Sequence, residues 1–109
     1  MNIIPKEKLN AIEHILCAAI WYDDGIERAH LPRNIKTGIV ACGWRHGNCF
    51  TVLNAMFPNR EYIGHTVGDN QGFLTSKGRY VNRKEAGDIA FKAGQISKEN
   101  DFLFSEDLY

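Results

Sequence analysis

The chain has no excess of charge of either sign. Thirteen Lys and Arg face thirteen Asp and Glu over 109 residues, for a formal net charge of zero. A field that cancels excludes the basic footprint of a protein that tracks long nucleic acid, and it offers no attraction to an anionic membrane surface. There is no apolar run of the roughly 18 residues needed to cross a bilayer. The opening MNIIPKEKLN lacks the charged and apolar regions of a secretory signal, so a cytoplasmic location is expected. Cysteine is scarce: three residues, with no CxxC, favour reduced thiols over a disulfide framework. No repeat, linker or low-complexity tract divides the chain. With 44% hydrophobic residues, it has enough apolar side chains for one modest core.

What is present centres on Thr37–Phe57, TGIVACGWRHGNCFTVLNAMF. Ile39-Val40-Ala41-Cys42 has the form of a buried strand, and Gly43 ends it. After the polar turn Trp44-Arg45-His46, Gly47 and Asn48 open a helix that buries Phe50, Leu53, Ala55, Met56 and Phe57. Upstream, Pro5–Leu9 reads as a helical turn with proline at its first position. The run 15–22 reads as a strand that turns at Asp23-Asp24-Gly25, a strong hairpin signal, and returns over 26–30. A rival pattern continues a helix from Lys6 to Trp21. Leu31-Pro32-Arg33-Asn34 breaks the chain, and 61–71 reads as a surface loop. Gly72–Thr75 and Arg79–Val81 form a second hairpin. Asn82-Arg83-Lys84-Glu85 is a capping box that starts a helix through Ala86, Ile89, Ala90 and Ala93, with Gly94 at its C-terminal cap. The resulting expectation is a small single α+β domain: two β-hairpins plus a central strand, packed with two helices.

The spacing Arg45-His46-x-x-Cys49, the stretch QGFLTSKGRYVNRKEAGDIAFKAGQI and the closing SEDLY together resemble a group of small proteins encoded by bacteriophages and prophages. The likeness covers about the last two thirds of the chain. It implies a phage origin, hence a host cytoplasm, and an ordered set of polar residues; it implies no reaction. Asn82 stands where aspartate is common in the group, and the two residues cap a helix alike.

Four chemistries compete at the central turn. Zinc would accept Cys42, His46 and Cys49, with His30 or His65 as a fourth ligand. That spacing fits no common zinc module, and no metal or other cofactor is expected. Cys49, at a helix N-terminus near His46, has the makings of a nucleophile, or it is a small buried hydrophobe. The third reading carries more weight. Arg45 offers a planar fork to a phosphate, His46 a donor or proton shuttle, and the amides after Asn48 a positive helix end. Trp44 supplies a stacking face. Thr75, in the glycine–threonine hairpin, with Arg79 and Arg83, extends the ligand set. In a fourth, His46 acts with Glu106 and Asp107 as acid and base in phosphodiester cleavage. The rival for these last two carboxylates is a packed strap held by Leu108 and Tyr109. The expected function is binding of a small anionic, nucleotide-like ligand, such as a host immune signal, by sequestration or hydrolysis. The alternative is an interaction module that inhibits a host protein. Exposed strand edges in so small a fold also suggest a homo-oligomer.

Overall fold

The computed structural model describes residues 12–109; the turn expected at Pro5–Leu9 and the start of the rival helix at Lys6 lie outside them. Four antiparallel strands form one sheet in the order β2-β1-β3-β4. They are β1 (Ile15–Glu27), β2 (Thr37–Gly43), β3 (Gln71–Thr75) and β4 (Tyr80–Asn82). Helices α1 (His46–Met56) and α2 (Arg83–Lys92) complete an α+β domain.

The alternation of side chains along a strand sorts β1 between two faces. Ala18 and Ile20 enter the main core with Ala41, Phe73 and Val81, where Cys49 and Leu53 of α1 and Ala86 and Ala90 of α2 meet them. Ala19 and Trp21 face the other way, into a smaller cluster with Ile35, Val40, Leu74 and Tyr80. Ala18, Ala19 and Ile20 are paired on both sides, to Gly43, Cys42 and Ala41 of β2 and to Phe73, Gly72 and Gln71 of β3. Glycine is required at position 72. A Cβ there would overlap the Val81 carbonyl of β4.

Asp23-Asp24-Gly25 does not reverse the chain. Its aspartates satisfy local donors instead: Gly25 N–H donates to Asp23 and Ile26 N–H to Asp24. Asp24 also holds Arg28 at 2.7 Å. Gly25 takes φ +78°, and the result is an irregularity in register between Tyr22 and Glu27, with β1 running on. The reversal comes later, through His30 (φ +62°) and Leu31–Asn34. The partner of β1 is therefore β2, not a strand over 26–30. The rival helix fails where it can be judged, because Ile15–Trp21 lies in strand β1, paired with β3 at its start and with β2 at its end, and with both over Ala18–Ile20.

The connection from β1 to β2 has a second task. The Asn34 carboxamide donates to Tyr80 O at 2.6 Å and accepts from Tyr80 N at 2.9 Å. Arg33 N–H donates to Gly78 O at 2.8 Å. The outer edge of the short β4 is thus closed by the chain's own loop. The second hairpin and the Asn82 cap stand where the sequence put them, with Glu85 N–H donating to Asn82 at 2.9 Å.

Candidate functional site

The corner between β2 and α1 is built by Gly43, Arg45 and Asn48. A Cβ on Gly43 would come within 2.6 Å of Asn48 Cβ, so only glycine lets the helix start fold back on the strand end. Arg45, with extended backbone at φ −126°, is the N-cap. Its N–H donates to Asn48 Oδ1 at 3.0 Å, and its carbonyl accepts from Asn48 N–H at 3.0 Å. The Asn48 side chain, at an exposed position, therefore caps the helix start.

The Arg45 guanidinium lies beside two aromatic rings, Trp44 and Tyr109, which also meet each other with centres 5.8 Å apart. Its carbon lies 5.3 Å from the Trp44 ring centre and 5.4 Å from that of Tyr109, within cation–π range. Nη2 donates to the Tyr109 carbonyl at 2.8 Å. Nη1 is buried without a partner among the described residues. Tyr109 Oη in turn donates to Leu16 O at 3.3 Å. Trp44 keeps 60% of its surface in water, Leu16 53% and Tyr109 49%. Together they make an exposed apolar patch around a cation that is already engaged.

His46 turns inward. Its Nε2 lies 2.8 Å from Gly72 O, which fixes the proton on that nitrogen and leaves Nδ1 as the acceptor. The ring meets Phe73 edge-on at 5.1 Å. Burial holds the imidazole below its usual range, and the nearby Arg83 charge adds to this while the Gly72 carbonyl and Glu106 oppose it. Burial thus favours the neutral imidazole.

Arg83 repeats the motif seen at Arg45. Its Nη1 donates to Leu103 O at 2.8 Å and its Nη2 to Gln71 Oε1 at 2.9 Å. Phe102 and Phe104 flank the guanidinium at 5.2 Å each. Burial draws its pKa down. Residues 102–109 therefore form a strap across the sheet's helical side, gripped at Arg83 and at Arg45, with Leu103 fully buried in the main core and the Phe102 and Phe104 rings in contact with each other outside it. Asp107 serves the strap, its carboxylate accepting from Phe104 N–H at 2.8 Å and from Asn100 at 3.2 Å. Glu106 is exposed.

Thr75 and Arg79 lie at another centre. Arg79 binds Glu13 through Nε and Nη2 at 2.8 and 2.9 Å, and Thr75 Oγ1 donates to the same carboxylate at 2.7 Å. The structure thus brings Trp44, Arg45, His46 and Asn48 to one corner and sets Arg83 and Glu106 beside His46. Thr75 and Arg79 stay with Glu13. Sequence reasoning missed Leu16 and the two phenylalanines of the strap. Their only signal was apolar character outside the core pattern.

The cysteines differ in setting, with Cys17 beside Cys42 across β1 and β2. Cys49 is fully buried in the core and its thiol is pushed up to about 12, chiefly by burial, which removes the thiolate a nucleophile requires. Cys42 is exposed. Among the described residues, no three His, Cys, Asp or Glu side chains converge as a metal site. A cleft of about 960 Å³ runs along α2 past Glu13, Arg79, Lys84 and Asp88, and one of about 570 Å³ lies over residues 94–100. Neither is lined by Trp44, Arg45 or His46. No described helix is long and apolar enough to cross a membrane.

A family model described as Phage T4 y16D protein matches residues 14–109, a span that includes both arginine clamps and every strand and helix above. No curated protein and no solved structure gave a significant match.

Proposed function

Because the chain belongs to the Phage T4 y16D protein family, we propose that it is a phage interaction module that docks on a host protein in the cytoplasm and inhibits it. Its contact face is Leu16, Trp44 and Tyr109 around Arg45. The observation that carries this reading is the exposure of Trp44 and Tyr109, packed on each other beside a guanidinium already held in place. Trp, Tyr and Arg are the residue types that dominate binding energy at protein interfaces, and rigid anchors lose little entropy on docking. A small-ligand site calls for concavity, and the clefts along α2 and over residues 94–100 are not lined by Trp44, Arg45 or His46.

A second reading has one specific support, the buried Nη1 of Arg45, which has no partner among the described residues. In it, Tyr109 swings aside, a base stacks on Trp44 and a phosphate takes Arg45. The protein would then sequester or hydrolyse a nucleotide signal of host defence. One experiment separates the two. In the first reading, mono-, di- and cyclic nucleotides leave the melting temperature unchanged, and Trp44→Ala abolishes host-protein capture without loss of stability. A nucleotide-dependent rise in Tm that Arg45→Ala removes would overturn the first reading in favour of the second.

A further inference from the structure

The two edges of the sheet are treated differently. The β4 edge is three residues long and is closed by Asn34 and Arg33. At the other edge, β2 is seven residues, TGIVACG, with no charge and no proline. At its start, the Thr37 carbonyl accepts from Trp21 Nε1 at 2.9 Å. Over Ile39–Gly43, no hydrogen bond among the described residues reaches the side away from β1. Folded chains blunt an open edge with lysine, proline, a bulge or a cover. Among the described residues, none of these devices is present over Ile39–Gly43.

We infer that β2 pairs antiparallel with β2 of a second copy of this chain, joining two sheets into one of eight strands about a twofold axis. The inference goes beyond the proposed docking function. A second copy is the occupant because an uncharged strand carries nothing that repels its own image, and antiparallel pairing of identical strands closes on itself. Full overlap of Ile39–Gly43 sets Ala41 opposite Ala41, and Val40 opposite Cys42 of the second copy. Cys42 is exposed and Val40 half-buried, so both have room beside the seam. The arrangement has a functional consequence. Trp44 follows β2 directly, so the dimer carries one aromatic face at each end of the seam, with the two Trp44 backbones about 20 Å apart at roughly 3.4 Å per residue. Two faces on one rigid body favour a dimeric or repetitive target.

Sedimentation velocity and hydrogen exchange on the full chain test this. The wild type should sediment at about twice 12.4 kDa, and its amides over 39–43 should gain protection as concentration rises. Val40→Lys should halve the mass with the far-ultraviolet spectrum unchanged, and Cys42→Lys, at an exposed position, provides the same test if the first variant unfolds. Trp44→Ala should remain dimeric. A wild type that is monomeric across the micromolar range overturns the inference. So does a dimer that survives both lysines or that Trp44→Ala dissociates. Protection over 39–43 that arises only when a host protein is added would assign the edge to a foreign strand, and also overturns it.

Discussion

Glu13→Gln isolates one interaction that ties the start of β1 to the second hairpin. The Glu13 carboxylate takes two hydrogen bonds from Arg79 and one from Thr75, and the Arg79 guanidinium is the main reason its pKa falls from 4.5 to about 2. At about 1.36 kcal/mol per pH unit, that difference corresponds to roughly 3.4 kcal/mol of preference for the charged form in the folded chain. Arg79 keeps 35% of its side-chain surface in water and Glu13 16%, so solvent screening reduces the net contribution to about 1.5 kcal/mol. The sign follows from a depressed acid. The stabilisation is complete above the unfolded value near 4.5 and is lost as pH falls toward 2. Urea unfolding, followed by the fluorescence of Trp21 and Trp44, should therefore show wild type more stable than Glu13→Gln by about 1.5 kcal/mol at neutral pH, with the gap closing in acid. Asp24, also held at about 2 by Arg28, steepens the acid slope of both proteins equally and cancels in the difference. A gap that stays constant with pH, or one absent at pH 7, would refute the reasoning.

Arg83→Met should cost about 2–3 kcal/mol, because two hydrogen bonds and two ring contacts are lost while the Leu103 carbonyl is left without its donor; equilibrium unfolding measures it, and a loss under about 0.5 kcal/mol would mean that Leu103 alone anchors the strap. Gly72→Ala should be more damaging than a typical surface change, about 2–4 kcal/mol, since the new methyl meets the backbone of β4; a wild-type urea midpoint would contradict that contact. Iodoacetamide should label Cys42 quickly in the folded chain and Cys49 only after unfolding, given exposure of one and burial of the other with its thiol near 12. Equal rates in native buffer, read by peptide mass spectrometry, would contradict the buried position of Cys49.

Where the chain obeys local rules, the sequence was readable. Asn82 and Glu85 sit three apart at the head of an apolar stripe, and the cap forms between them. Gly43 followed by a polar turn and Asn48 marked the β2–α1 corner for the same reason. Asp23-Asp24-Gly25 misled because turn chemistry is local, whereas the path of β1 is set by what its side chains bury on each face. The aspartates found donors within the strand and a cation at Arg28, so no reversal was needed. The site was legible in part: Arg45 and Trp44 belong to one short motif, and docking of Tyr109 was foreseen without its target. Arg79 meeting Glu13, or Arg83 meeting Phe102 and Phe104, joins residues far apart in the chain. No spacing in a single sequence reports such meetings.

The strand order carries a kinetic consequence. Each hairpin is closed by its own turn and can form early, but Ile20 must find Gln71 before the central ladder exists. That search closes a long loop containing all of β2 and α1, and non-local pairing of this kind sets the pace of folding. The strap, whose clamp at Arg83 draws on Gln71 of β3 and on α2 together, can latch only after the halves have joined. Substitutions at the β1–β3 seam should therefore slow refolding, while those in the strap should mainly hasten unfolding.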